Sequence, residues 1–297
     1  MEKKVSIVLV GINGYGVNYL KELLAHNYKK ARLVGVVEIY PKRSEFYEEL
    51  LNQKVPIYDR LEHFYENNQA DLAVISTPIH LHAPQSCYAM NHGSHVLCEK
   101  PMTASSEDMK KMIETRDKTG KFLAVGFNWS FTPSIQQLKQ DIINGKFGKP
   151  IRAKSVVLWP RNQDYYNRSS WAGKRYSPNG DMIFDSVANN ATAHYLHNLF
   201  YLTGNSLSAS SKPKEVTAEL YKINPIETFD TCAVKIVTDN DVELLYLASH
   251  AVKDAVNPQF EFEFETAKVS FQTGVEDDKI IAHFNDGEIL EYKNPNN

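Results

Sequence analysis

Cysteine is scarce. Cys87, Cys98 and Cys232 are spread over 297 positions with no CxxC or other metal-ligand spacing. Neither a disulfide framework nor a cysteine metal site is encoded, and reduced thiols in a cytosol are the simplest expectation. An excess of either charge is missing too: 33 Lys and Arg face 36 Asp and Glu, a net −3. Such a balance gives no electrostatic case for nucleic acid or an anionic membrane. The N-terminal run VSIVLV, after MEKK, is too short for a signal peptide's apolar region or a membrane span, and it reads as a strand. Internal repeats, low-complexity stretches and long linkers are lacking. What remains is 42% hydrophobic and 23% charged residues, a soluble globular balance long enough for two ordinary domains.

Residues 1–127 alternate apolar runs with helical patterns, the signature of βαβ units and a parallel sheet. Strands are expected at 5–10, 31–39, 55–58, 71–77, 95–100 and 122–127. Ser105 with Asp108 three residues on marks a helix start, and Gly120 marks its stop. The expected fold here is α/β, a Rossmann-type doubly wound sheet. Residues 128–297 change character. A helix at about 133–144, a strand in PIRAKSVVLWP, a polar aromatic loop at 161–180 and a helix from about 185 to 202 come first. Strands dominate from 214, with hairpin turns signalled at Asp239-Asn240-Asp241 and Asn285-Asp286-Gly287. Phe260, Phe262 and Phe264 share one face of a strand, and Glu261, Glu263 and Glu265 the other. The expectation is an α+β domain with a largely antiparallel open sheet, one face on helices and one on water or a partner subunit.

VLVGINGYG ends a strand and opens a helix. Gly11 and Gly16 hold the first and third positions of G-x-G-x-x-G, Asn13 replaces the middle glycine, and Gly14 adds one beside it. The middle glycine normally lets backbone approach a pyrophosphate, and Asn tolerates a left-handed conformation there. Glu38 ends the second strand, where an acid would hold ribose hydroxyls. Loop and acid together point to a dinucleotide, with Gly11, Asn13, Gly14, Tyr15, Gly16 and Glu38 in contact with it. An acid repels a 2′-phosphate, which favours NAD over NADP. Arg43 lies close enough to soften that preference.

The other strand ends carry Ser76-Thr77-Pro78 and Glu99-Lys100-Pro101. Pro101 keeps Lys100 extended, and a lysine there could bind a substrate hydroxyl and help take its proton. STPIHLHA at 76–83, GSHVLCEKPM at 93–102 and VGFNWSFTP at 125–133 make the chain resemble the Gfo/Idh/MocA family of nucleotide-dependent sugar and polyol oxidoreductases, over nearly its whole length. The resemblance implies NAD(P) as cofactor and Lys100 as a catalytic residue. It also implies cofactor contacts from Ser76, Thr77, Pro78, His82, Glu99 and Asn128. A homodimer or homotetramer through the C-terminal sheet and a cytoplasmic sugar or polyol enzyme complete that expectation.

FDSVANNATAH, 184–194, carries a departure. The family pattern has an Asp and, four residues later, a His; here Asp185 fits the acid and Asn189 stands at the His position. An imidazole carries a proton near neutral pH, whereas an amide only orients a group by hydrogen bonds. On a continuous helix Asp185 and Asn189 share the inward face, while Asn190, His194 and His197 fall on another. Two histidines at i and i+3 with no third ligand do not make a metal site. Upstream, the loop WPRNQDYYNRSSWAGKR offers Arg161, Tyr166, Arg168 and Trp171 as sugar-binding candidates, alongside Asn189 and Asn190. The reading is an NAD-preferring dehydrogenase of a sugar, polyol or related cyclic alcohol. Lys100 and Asp185 form its acid–base pair, and Asn189 orients the substrate. A non-catalytic NAD-binding sensor, and a glycosidase- or epimerase-like enzyme that retains its cofactor, stay open as alternatives.

Overall fold

The structure is a computed structural model that describes residues 4–25, 29–272 and 279–294. It divides into two compact units, Met1–Gly126 and Phe127–Asn297.

The first unit runs β1 (Val5–Val10), α1 (Gly16–Leu24), β2 (Ala31–Val37), α2 (Tyr47–Asn52), β3 (Ile57–Tyr58), α3 (Leu61–Asn67), β4 (Leu72–Ile75), α4 (Ile79–Asn91), β5 (His95–Cys98), α5 (Ser106–Thr119) and β6 (Leu123–Val125). The strands are parallel in the order β3-β2-β1-β4-β5-β6. β1 is apolar throughout because both its faces are covered. Ile7 and Leu9 pack with Leu20, Leu23 and Leu24 of α1, while Val8 and Val10 pack toward Phe64, Met90 and Met112. Burying Leu20 completely contributes roughly 2 kcal/mol. α5 starts where Ser105 accepts a hydrogen bond from the Asp108 amide, and it stops at Gly120 with φ +65°. β1 and β4 are neighbours, so the strand order reverses there, and ligands bind beyond the carboxyl ends of such strands.

The second unit holds α6 (Pro133–Ile143), β7 (Pro150–Leu158), α7 (Gln163–Asn167) and α8 (Ala193–Thr203). β8 (Pro213–Tyr221), β9 (Thr231–Thr238), β10 (Glu243–Ser249), β11 (Val256–Phe264), β12 (Ala267–Gln272), β13 (Lys279–Phe284) and β14 (Ile289–Lys293) follow. The sheet order is β14-β13-β12-β11-β7-β10-β9-β8, antiparallel except for β7 beside β10. Phe260, Phe262 and Phe264 are buried with Leu138 of α6 and Leu199 and Leu202 of α8, as the Phe/Glu alternation requires. Lys139 of α6 is fully buried. Its ammonium donates to the carbonyls of Tyr201, Gly204 (2.5 Å) and Ala209 (3.4 Å), which holds the end of α8.

One expected helix is shorter than its sequence pattern. Residues 185 and 186 have no regular structure, residues 187–192 form turns, and α8 starts only at Ala193. Phe184 has φ +50°, and the side chains of Asn189 and Thr192 bond back to the local backbone. Short polar side chains that compete in this way break a helix that periodicity alone would continue. The shared helical face of Asp185 and Asn189 therefore does not exist.

Candidate functional site

The end of β1 and the start of α1 make a tight loop. Gly11 has φ +84°, and a Cβ there would lie 2.5 Å from the Ser76 carbonyl oxygen. A Cβ on Gly16 would lie 2.0 Å from the Gly11 oxygen. Both positions are therefore closed to any side chain. Asn13 does not take the left-handed conformation its position suggested; Gly11 and Gly14 take it instead. The added glycine supplies the freedom, so Asn13 needs none. A Cβ on Gly14 would meet nothing within 4 Å, so this rim of the loop is open to a ligand.

Glu38, at the end of β2, reaches the same loop. Its Oε2 accepts from the Ile12 amide (3.2 Å) and its Oε1 from the Tyr40 amide (3.0 Å). The carboxylate is thus fixed beside the loop, where two ribose hydroxyls could replace water on its free lone pairs. Arg43 stacks its guanidinium over the Tyr40 ring at 4.4 Å. Tyr15, at the N-terminal edge of α1, is exposed and meets Tyr19 edge-on.

The ends of β4 and β5 join this group. The Ser76 amide donates to the Val10 carbonyl, and the Glu99 amide to that of Ile75. His82, on α4, is buried with one ring nitrogen 2.8 Å from the Thr77 carbonyl and the other 2.8 Å from that of Pro101. It ties the Ser76-Thr77-Pro78 turn to the Lys100-Pro101 turn. Burial holds its pKa below the ordinary histidine value. Glu99 is also buried. Tyr19 donates to its Oε1 (2.6 Å) and the Lys100 amide to its Oε2 (3.1 Å). Burial pushes the Glu99 carboxyl up. Gly126 stands against it, and a Cβ there would lie 2.9 Å from Oε1. Tyr19 is a site residue that sequence reading missed; its α1 register, eight residues beyond Gly11, was the available signal. Gly11, Asn13, Gly14, Gly16, Glu38, Ser76, Thr77, His82, Glu99 and Lys100 are thus gathered at the carboxyl end of one sheet.

The second unit holds the other candidates. Asp185 is buried, and its Oδ2 accepts from the Gly173 amide (2.7 Å) and its Oδ1 from Asn190 Nδ2 (2.5 Å). Its acid face meets Asn190, not Asn189. The Asn189 amide group braces its own turn: Oδ1 accepts from the Ser186 amide (2.9 Å) and Nδ2 donates to the Phe184 carbonyl (2.6 Å). His197 stacks flat on Phe127 at 4.0 Å, and its Nδ1 meets Ser130 Oγ at 2.9 Å. Burial lowers its pKa to about 4. Asn128 begins the short turn Asn128–Phe131 beside it. The loop candidates cluster around Tyr165. Arg161 and Arg168 lie over its ring, Trp171 lies beside Arg168, and Tyr166 packs edge-on with its hydroxyl buried. Among the described residues no group of three potential metal ligands is present.

Comparison with known proteins gives the first unit its kin. Residues 5–127 match the sequence profile of the Gfo/Idh/MocA family, described as an oxidoreductase family with an NAD-binding Rossmann fold. A 1-carboxy-3-chloro-3,4-dihydroxycyclohexa-1,5-diene dehydrogenase of Comamonas testosteroni is 34% identical over 93 residues, 31% of this chain and 23% of that protein. The inositol 2-dehydrogenase of Salmonella typhimurium is 26% identical over 144 residues, 48% of this chain and 43% of that protein. The matched stretch spans less than half the length of each of these relatives. In fold, the WlbA dehydrogenase of Bordetella pertussis, solved with NADH and UDP-GlcNAcA, is similar across the whole chain. The TM-score is 0.78 at 22% identity, with 100% of this chain and 79% of that one covered.

Proposed function

We propose that this chain, whose nucleotide domain belongs to the Gfo/Idh/MocA oxidoreductase family, is an NAD-dependent dehydrogenase acting on a secondary alcohol of a sugar, polyol or related cyclic alcohol. One observation carries the reading. The glycine loop, the anchored Glu38 and the Glu99-Lys100 turn sit together at the carboxyl ends of neighbouring parallel strands. The residues fit a dinucleotide: the loop admits no side chain at Gly11 or Gly16, and its rim at Gly14 is open. NAD held there would accept or deliver the hydride. Glu38 would bind the ribose hydroxyls and repel a 2′-phosphate, which supports NAD over NADP. Lys100 would bind the substrate hydroxyl and carry its proton. Glu99, braced by Tyr19, would fix the backbone that presents Lys100.

Asp185 accepts one hydrogen bond on each oxygen, so we place it as the anchor of the Arg161–Gly180 loop. Asn189 and Asn190 would hold the turn that carries it. The inositol and dihydroxycyclohexadiene dehydrogenases support an alcohol on a ring as substrate. The open sheet face, with Leu245, Leu247 and Val156 among charged neighbours, would pair with a second copy. The free thiols of Cys87, Cys98 and Cys232 are in keeping with a cytoplasmic home, and among the described residues no helix is long and apolar enough to cross a membrane.

The test is NAD reduction across a panel of sugars, inositols and sugar acids, with NADH binding measured in parallel. Turnover on one class, abolished in Lys100→Ala with NADH affinity kept, is the expected result. Loss of NADH binding in Lys100→Ala would remove Lys100 from the chemistry, and a wild type that binds no NADH would end the proposal.

A further inference from the structure

We propose that the substrate carries an anionic group, a carboxylate or a phosphate, and that Arg161 and Arg168 receive it. The word substrate rests on the dehydrogenase reading; the anion site rests on the second unit's own geometry. The two guanidiniums share one ring, with their central carbons 4.8 Å and 3.7 Å from the Tyr165 centroid. Trp159 lies under Arg161 at 5.7 Å and Trp171 under Arg168 at 5.1 Å. Two cations so placed lie within about a Debye length of each other and repel.

A folded protein commonly sets a carboxylate against such a pair. Among the described residues neither guanidinium has one within ion-pair distance. Arg161 reaches the neutral Tyr165 hydroxyl, and its Nε–H is buried with no acceptor. Arg168 is exposed and donates one N–H to the Tyr165 carbonyl at 2.5 Å, leaving the rest of its fork outward. The nearby buried acids, Asp185 and Asp230, are hydrogen-bonded within the fold. Asp185 accepts from Gly173 and Asn190, and Asp230 from the amides of Ile223 and Asn224. A buried donor without an acceptor is rare enough in a native protein to require an explanation. A second orphan stands beside it: the Tyr166 hydroxyl, buried without a partner, on a ring 5.2 Å from that of Tyr165.

The chemistry of the set is specific. A planar guanidinium fork matches the two oxygens of a carboxylate or phosphate, while the tyrosine and tryptophan faces suit the C–H side of a sugar ring. A neutral sugar would leave both positive charges unpaired. The loop therefore selects an acidic or phosphorylated sugar over its neutral counterpart.

Calorimetric titration of the full chain with D-glucuronate, D-glucose 6-phosphate and D-glucose tests this, with and without saturating NADH. At least one anionic probe should bind about tenfold or more tighter than D-glucose. That preference should shrink with added salt, survive in part in Arg161→Lys and vanish in Arg161→Met or Arg168→Met. The better of the two anions tells carboxylate from phosphate. Equal binding of all three probes, no binding by either anion, or a preference that persists in both methionine variants would overturn the proposal. NADH titration of the same samples reports separately on the dehydrogenase reading, since the anion preference is also read without cofactor.

Discussion

His197 makes the second unit acid-sensitive in a calculable way. Its ring lies flat against Phe127 and is hydrogen-bonded to Ser130, and burial lowers its pKa from 6.5 to about 4. Between those values the unfolded chain binds a proton that the folded chain refuses, so folding stability rises with pH through the window. The contribution is complete above pH 6.5 and is lost as pH falls toward 4. At pH 4.5 most of the contribution is gone, a loss on the order of 2–3 kcal/mol on the linkage relation. Other groups titrate in this range, so the quantity to measure is a difference. Urea unfolding of wild type and His197→Gln at pH 7 and pH 4.5 isolates it. At pH 7 the variant is the less stable, having lost the stacking contact. At pH 4.5 its deficit should shrink or reverse by roughly 2–3 kcal/mol. A wild-type-to-variant difference that does not change with pH would show that the folded protein accepts the proton, and that the packing around Phe127 is open.

Other expectations follow from single contacts. Gly11→Ala should reduce NADH affinity by at least about tenfold in a fluorescence titration, because its Cβ would lie 2.5 Å from the Ser76 oxygen in a left-handed conformation; unchanged affinity would mean that the loop is not the pyrophosphate site. Glu38→Gln should raise NADPH affinity relative to NADH by about tenfold by removing a fixed negative charge, and an unchanged ratio would separate Glu38 from the ribose. Phe262→Ala should destabilise the second unit by about 3–5 kcal/mol in urea, since a ring with 1% exposure leaves a cavity against α6 and α8.

Much of the architecture was legible because it rests on periodicities of two kinds. Runs such as VSIVLV mark strands covered on both faces, and the Phe/Glu alternation marks a strand covered on one. Both appear where expected, as do the Ser105 cap and the Gly120 stop. The 184–192 stretch was misread because apolar spacing says nothing about side chains that bond to their own backbone. Asn189 and Thr192 do so, and a helix cannot pass through. In the glycine loop the sequence located the turn but not which residue would be left-handed, since Asn13 and Gly14 both tolerate that conformation.

The sequence by itself determined the order of strands and helices, the glycine loop with its acid, and the family likeness of the strand-end motifs. These are local patterns, readable within a few tens of residues. The tertiary structure decided what depends on groups distant in the chain. Tyr19 braces Glu99 across 80 positions, and Lys139 holds the end of α8 from another helix. Asp185 comes to accept hydrogen bonds from the Gly173 amide across its loop and from the Asn190 side chain. Whether a charged side chain acts on a ligand or holds the fold depends on which donors and acceptors meet it. Only the folded chain brings those together.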